Sequence, residues 1–557
     1  HYYDLIMKAM TLREDLIVVF ISHIVNDGND YDPKYKLFTT GKMLDRSVNI
    51  DGLFNYLLYA EKIVNDEGYI GLTPEGKYTG SKQKGKITLA GSTSVSPLMD
   101  KIKDAYTAIN PDVTIEIQES GSSAGIQSAI EGATEIGMSS RELKDEEAKE
   151  LLKEYKQEHI NKFIDEIGDE KAEELIEQIH TIDFHQITEL YNNTKKTIEF
   201  KESKIEPLKY LDKAKLTFEQ TQRFDELGSN VVKKGQYAVV TMAGGQGTRL
   251  GHNGPKGTFK LDVYGKGKYL FEILVDNLKE ANQKYGITIN WYIMTSKENN
   301  SATVEFLEKN NYFGYDKNFV KIFTQSEMPL IDTEGKLLMG KDYKIREASD
   351  GNGGTYSSLR RSGCLADMKE KGIKWVFIGS VDNALLKMVD VTLLGMAIDQ
   401  GVQIASKSVV KANPHERVGV FCKMNGHPKV IEYTELPEKM AEEVDSDGEL
   451  KYGESHIMCN LYTIDAIEKI SKETLMYHSA FKKNAYIDEN GKEIIPTEPN
   501  SYKFESFIFD AFEFFDDIAI LRGKREDDFA PVKNKDGVDS PKTAKELYEK
   551  YWNKMKK

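Results

Sequence analysis

Apolar residues recur along the chain with two periods, and the places where one period gives way to the other divide it into segments. Beyond Gly235, short apolar runs at 237–240, 290–294, 320–323, 375–378 and 418–421 read as buried strands, with a helical pattern over 270–281 after the first. That alternation predicts an α/β fold with a mostly parallel sheet, whose ligands lie outside the C-terminal ends of its strands. Before it, Leu152, Tyr155, His159, Phe163 and Ile167 mark one face of a helix that Gly168 ends, and Leu175, Ile176 and Ile179 open another. His159 and His180 sit among these apolar positions and read as core or boundary histidines, since neither has a partner at a mechanistic spacing. Earlier still, 87–97, 99–106, 113–118 and 120–125 read strand, helix, strand, helix, and Gly76 to Gly85 read as a linker. The run 16–25 is about half the length of a membrane span and lacks a basic flank, so it predicts one buried strand. Asp488-Glu-Asn-Gly491 predicts a hairpin turn, because the acidic pattern of a calcium loop is missing.

Length and charge narrow the class. At 557 residues the chain exceeds one ordinary core and predicts several domains. The 75 Lys and Arg stand against 90 Asp and Glu, a net charge of −15, which speaks against nucleic acid or an anionic membrane as partner. The three cysteines, Cys364, Cys422 and Cys459, are widely spaced, so a reducing, cytoplasmic location is expected rather than a disulfide framework. The chain starts at His1 rather than Met, and upstream sequence is expected to be missing.

Candidate chemistry gathers in Thr241-Met-Ala-Gly-Gly-Gln-Gly-Thr-Arg-Leu-Gly251 and Gly254-Pro-Lys-Gly257, immediately after the run 237–240. Glycines there let the strand turn sharply with backbone N–H groups facing outward, and Arg249 and Lys256 add cations suited to oxygen-rich anions. A Walker loop would need Lys-Ser or Lys-Thr where Gly247 is followed by Thr-Arg-Leu. A dinucleotide fingerprint would need glycine where Leu250 stands. Neither fits.

The string AGGQGTRLG followed by PKG resembles the signature of the UDP-sugar pyrophosphorylases, in particular the UDP-N-acetylhexosamine branch, and the resemblance runs from about residue 148 to the C-terminus. It implies a Rossmann-like, GT-A-like nucleotidyltransferase sheet (235–515) with a helical N-terminal extension (148–234) and a small C-terminal region (516–557) carrying a sugar-phosphate lysine. It implies a uridylyltransferase in which a sugar 1-phosphate attacks the α-phosphorus of UTP, pyrophosphate leaves, and Mg²⁺ shares the charge. Carried over by motif, Ala243, Gly244, Gly245, Gln246, Gly247 and Thr248 would approach the nucleotide, the glycines through their N–H groups, while Gln325 and Gly351 would read the uracil. Arg249 and Lys256 would meet the triphosphate, Asp382 the metal, and Lys533 the sugar phosphate. Asn352, Glu432, Phe507 and Phe509 would face the sugar, and His456 stands where those enzymes carry an asparagine, which leaves the sugar open among N-acetylglucosamine, N-acetylgalactosamine, glucose and galactose 1-phosphates.

Two shorter resemblances precede this one. Residues 85–147 resemble the opening of an ABC-transporter phosphate-binding protein, which implies Thr93, Ser94, Ser122 and Ser140 as phosphate ligands. Residues 1–84 resemble part of a phage RecA-like nucleotide-binding protein without its Walker A loop, and Lys42 reads as a solvated turn. Both read as partial α/β fragments joined end to end. They leave two other functions to weigh: a phosphate-binding module, or a catalytically inactive nucleotide-binding protein.

Overall fold

The computed structural model describes residues 204–556 throughout and most of 85–195, and before Gly85 it describes three short strands. The chain forms two compact units, one of His1–Thr197, Met328–Ala348 and Ser479–Lys503, the other of Ile198–Glu327, Ser349–His478 and Phe504–Lys557.

In the first unit, β1 (Ile17–Phe20), β2 (Gly85–Gly91), β3 (Val113–Glu119) and β4 (Ile136–Ser139) form a parallel sheet in the order β1-β4-β2-β3. The helices Ser96–Ile109 and Ser122–Ile130 follow β2 and β3, and Leu89, Val95, Met99, Tyr106 and Val113 bury a small core. Two expectations change here. The run 16–25 is not one strand, because β1 pairs with β4 while His23–Asn26 pairs with Tyr35–Phe38 in an antiparallel hairpin. For the same reason the segments 1–84 and 85–147 are not independent, since β1 extends the sheet of the second. Lys42 and Ser140 lie outside the described residues.

The single helix expected to end at Gly168 is three pieces, Asp145–Glu154, a short turn at Glu158–Ile160, and Asn161–Glu166. The break falls where Lys156 adopts φ 58°, beside a residue tied to a distant segment. Buried Gln157 accepts the Leu337 N–H at 2.9 Å and donates to the Gly335 carbonyl at 2.8 Å, a pairing that competes with a continuous helix. Gly168 does end the third piece, and Asp169–Thr181 begins beyond it. His159 sits 2.9 Å from the Leu337 carbonyl, and burial brings His180 down to about 4, so both are structural histidines. Asp488 to Gly491 is the predicted hairpin turn, between Tyr486–Ile487 and Glu493–Ile494.

The second unit is built on an 11-stranded sheet. Its main path joins β5 (Leu211–Asp212), β6 (Tyr237–Met242), β7 (Asn290–Thr295), β8 (Val320–Thr324), β9 (Trp375–Ser380), β10 (Ile404–Val410), β11 (Glu454–Thr463) and β12 (Ala519–Arg522) in the order β8-β7-β6-β9-β11-β10-β12-β5. β6 is buried at every position, as a central strand covered on both faces must be. The half containing β6 to β9 is parallel, whereas β11 runs antiparallel to both its neighbours. The sheet is therefore mixed, parallel along most of this path and antiparallel around β11. The helix Leu270–Tyr285 outruns its predicted end and stops at Gly286, and the strand expected at 418–421 is Val420–Met424, because Glu416 and Val418 close a turn first.

The expected C-terminal region from 516 is not separate, since β12 lies inside the sheet between β10 and β5. Beneath it Lys407, 1% exposed, places its ammonium 2.5 Å from Asp390 and 2.8 Å from Asp528. Lys387 reaches the same Asp528 carboxylate at 3.1 Å. A buried charge is tolerated only when paired in this way.

Candidate active site

The glycine loop leaves the sheet at the C-terminal end of β6 and is closed by its own backbone. The Gly247 N–H donates to the Gly254 carbonyl at 2.9 Å, the Lys256 N–H to the Gly245 carbonyl at 3.0 Å, and the Ala243 N–H to Met294 on β7 at 2.7 Å. The N–H groups of Ala243 and Gly247 are thus spent on the protein, which corrects the expectation that Gly247 offers its own to a ligand. Those of Gly244, Gly245 and Gln246 have no partner among the described residues. The Gln246 side-chain oxygen is also buried and unpaired. Thr248 and Arg249 are exposed on the short turn that follows.

A residue with no sequence signal holds this loop. Asn299, 1% exposed, donates to the Ala243 carbonyl at 3.0 Å and to the Gly245 carbonyl at 3.4 Å, and its oxygen accepts the Ser296 N–H at 2.9 Å.

Opposite lies the end of β9. Asp382 accepts from the Lys256 ammonium at 2.8 Å and from the Ser380 hydroxyl at 2.8 Å, and both members of the ion pair are 17% exposed. Burial alone would raise the Asp382 carboxyl, but Lys256 and Lys533 outweigh it and hold the group at about 2, so it stays ionised. Lys533 reaches this place through a backbone staple. Asn383 donates to the Asp528 carbonyl and accepts the Ala530 N–H, each at 2.8 Å, while the Val532 N–H donates to the Asp382 carbonyl at 2.8 Å. The Lys533 ammonium is 3.9 Å from Asp539. Among the described residues no group of three or more His, Cys, Asp or Glu could hold a metal ion.

Gln325 follows β8 and is 5% exposed, its N–H on the Thr295 carbonyl at 2.8 Å and its amide nitrogen on the Ser349 hydroxyl. A side chain at Gly244 would strike the Gln325 amide, so these two lie against each other. Gly351 adopts φ 91°, and a Cβ there would collide with the Ser506 carbonyl. Ser506 also accepts the Gly353 N–H at 2.9 Å and donates its own N–H to the Asp350 carbonyl at 2.7 Å, so the 350–354 turn is fastened to 506–508. Asn352 takes part in that fastening, its side-chain oxygen accepting the Ile508 N–H at 2.8 Å.

The remaining sugar candidates separate. Phe507 is half-buried and stacks on Phe509 with centroids 5.1 Å apart. Glu432 is half-buried, and burial together with Glu435 raises its carboxyl. His456 is a core residue, 5% exposed, with edge contacts to Phe421, Phe509 and Phe512 and its Nε2 3.0 Å from Asn460. Burial brings it down to about 4, so it is neutral and its Nε2 is already committed. In the first unit Thr93 and Ser94 lie exposed in the turn after β2, and Ser122 opens the helix after β3.

Sequence reasoning also missed His478. Its Nε2 is 3.2 Å from Asp510 and its Nδ1 3.6 Å from Glu435.

Unspent amide donors beside a Lys–Asp pair, with a second lysine acting on the same carboxylate, lie past the C-terminal ends of the adjacent parallel strands β6 and β9, an arrangement suited to phosphate-bearing ligands. The family profile described as UTP–glucose-1-phosphate uridylyltransferase matches residues 182–540, and a profile described as a PBP superfamily domain matches 76–163. The chain belongs to the UTP–glucose-1-phosphate uridylyltransferase family. It is 35% identical over 339 residues to the Homo sapiens UDP-N-acetylhexosamine pyrophosphorylase-like protein 1, covering 59% of this chain and 67% of that one. It is 38% identical over 334 residues to the Saccharomyces cerevisiae UDP-N-acetylglucosamine pyrophosphorylase, covering 58% and 70%. The chain therefore spans about two thirds of the length of these relatives. Its structure is similar to that of the UDP-N-acetylglucosamine pyrophosphorylase from Trypanosoma brucei in complex with inhibitor, at a TM-score of 0.62 and 28% identity over 73% of this chain and 84% of that one. A UDP-N-acetylglucosamine pyrophosphorylase structure from Entamoeba histolytica matches at a TM-score of 0.57 and 32% identity, over 62% and 87%.

Proposed function

We propose that the chain forms a UDP-sugar and pyrophosphate from UTP and a sugar 1-phosphate, with an N-acetylhexosamine 1-phosphate as the preferred acceptor. The observation that carries the reading is the Lys256–Asp382 pair facing the unspent N–H groups of Gly244, Gly245 and Gln246. The names of the relatives support the sugar, and the half-buried Phe507 and Glu432, both near His478, suit an acetamido group next to hydroxyls. The mixed sheet with its site at parallel strand ends is consistent with a Rossmann-like, GT-A-like fold.

In this reading the loop amides orient the UTP phosphates while Gln325 and the turn at Gly351 read the uracil. Arg249 and Lys256 take up charge as pyrophosphate departs. Lys533 holds the sugar phosphate in line, so attack on the α-phosphorus needs positioning and neutralisation rather than a covalent protein intermediate. Mg²⁺ fits the donor set in one way only: Asp382 would supply a single ionised carboxylate and the substrate phosphates the remainder, as is usual for this ion. When bound it would neutralise phosphate oxygens.

The phosphate-binding and inactive-protein alternatives are not favoured, since neither uses the strand-end lysines. A cytoplasmic location is part of the proposal, supported by three free, buried cysteines. No helix among the described residues is long and apolar enough to cross a membrane. The experiment is pyrophosphate release from UTP with N-acetylglucosamine, N-acetylgalactosamine, glucose and galactose 1-phosphates, repeated with ATP, CTP and TTP. Release with UTP and either N-acetylhexosamine 1-phosphate is expected to exceed the rest, and preferential use of another nucleotide would overturn the assignment.

A further inference from the structure

His478 joins two turns that the sequence keeps far apart. On one side its Nδ1 faces Glu435, whose N–H donates to the Glu432 carbonyl at 2.9 Å. On the other its Nε2 lies 3.2 Å from each Asp510 oxygen, and Asp510 in turn accepts the Phe507 N–H at 2.8 Å. The imidazole also packs on Phe507, with ring centroids 4.8 Å apart. Three carboxylates, those of Glu432, Glu435 and Asp510, crowd this corner, and Asp510 is 3% exposed, so a cation between them is what makes the arrangement affordable.

We propose that His478 is a positioning residue for the sugar half of the site: bridging Glu435 and Asp510, it fixes the gap between the turn carrying Glu432 and the turn carrying Phe507 and Phe509, and thereby selects the sugar. The proposal rests on the assignment of those residues to the sugar 1-phosphate. Without the bridge, the buried Asp510 charge loses its partner and the Phe507 ring its packing surface. The glycine loop, Lys256 and Asp382 make no direct contact with His478 among the bonds described, so nucleotide binding should be spared.

The test compares His478→Ala and His478→Gln with the native full-length chain, by initial rates against each of the four sugar 1-phosphates at saturating UTP and against UTP at saturating sugar. Loss of charge-assisted hydrogen bonds predicts that His478→Ala raises KM for N-acetylglucosamine 1-phosphate about tenfold or more. KM for UTP should move less than about twofold and kcat less than about threefold, with discrimination against glucose 1-phosphate reduced. His478→Gln, which can still donate to Asp510, should restore part of the loss. Should His478→Ala fail to fold, Glu435→Gln weakens only the Nδ1 side and should give a smaller increase confined to sugar KM. Unchanged sugar KM, or equal rises for sugar and UTP, in a native chain that turns over overturns this inference alone. A native chain that releases no pyrophosphate with any of the four overturns the function and this inference together.

Discussion

Two glycine turns in this molecule leave the C-terminal ends of parallel strands, and only one of them is surrounded by chemistry. After β2, Gly91 is packed so tightly that a Cβ would collide with the Met138 carbonyl. The Ser92 N–H goes to Met138, and the N–H groups of Ser120 and Gly121 go to Gly91. Thr93 and Ser94 stand exposed beside them. After β6, by contrast, the loop itself carries Lys256, the neighbouring strand β9 leads into Asp382, and the 529–534 segment brings Lys533 near that carboxylate. The first turn spends the Ser92 N–H on its own small sheet, while the N–H groups of Thr93 and Ser94 have no partner among the described residues. The second is closed by its own Gly247 and Lys256 N–H groups, with Asn299 bracing two of its carbonyls, and the N–H groups of Gly244, Gly245 and Gln246 have no partner among the described residues. A glycine-rich turn becomes a candidate site through the charged groups gathered around it, not through its glycines alone.

The comparison breaks most readily at the second turn. Lys256→Ala should lower kcat by about 10² to 10³, and Arg249→Ala by about 10² through loss of roughly 2.7 kcal/mol of charge stabilisation, both read by pyrophosphate release. Near-native turnover in either would make the loop merely structural.

Gly351→Ala comes next. At φ 91° with Ser506 against it, any side chain must displace the 506–508 segment, and a rise of about tenfold in KM for UTP is expected with kcat less affected.

The pH dependence of stability gives a smaller effect. Burial lowers His478, but Asp510 and Glu435 outweigh it and raise the group to about 9. A raised imidazole contributes stability that is complete below its unfolded value near 6.5 and is lost as pH rises through about 9. Melting temperatures of native and His478→Gln chains should therefore differ most at pH 6 and converge by about pH 9.5, the range those two values bound. A constant gap would show that the imidazole is not charged in the fold.

The smallest effect is expected at the first turn. A chain beginning at Lys144 should keep turnover per molecule within about twofold, since the residues matched to nucleotide, metal and sugar lie between Ala243 and Lys533. Loss of pyrophosphate release in a truncated chain that remains folded by circular dichroism would give the N-terminal sheet a part in the site.

The strands around β6 were legible because parallel strands buried on both faces are continuous apolar runs, and the glycine loop because its residues are contiguous. Asp382 could be placed from its position just after the run 375–378. Asn299, Asn383 and His478 could not, as each works through partners far away in the chain and each is an ordinary polar residue in its local context. The break at Gln157 was hidden for the same reason: its competing acceptors and donors lie on 335–337. His456 shows the converse. Motif position pointed it at the sugar, while packing against Phe421, Phe509 and Phe512 encloses it in the core.

The placement of β12 has a consequence for how the protein is made. β5, from the start of the sheet, pairs only with β12 on the main path, and β12 also flanks β10. Until the ribosome has released residue 522 and beyond, β5 has no neighbour there, Lys407 lacks its Asp528 counter-ion, and Lys533 does not yet exist. Synthesis runs from the N-terminus, so β6 to β9 can assemble early while β5, β10 and β12 wait for the last stretch of chain to complete their edge of the sheet. A ribosome that stops short of that stretch would release a polypeptide with the strands of its glycine loop present, Lys407 left with Asp390 as its one buried counter-ion, and no Lys533.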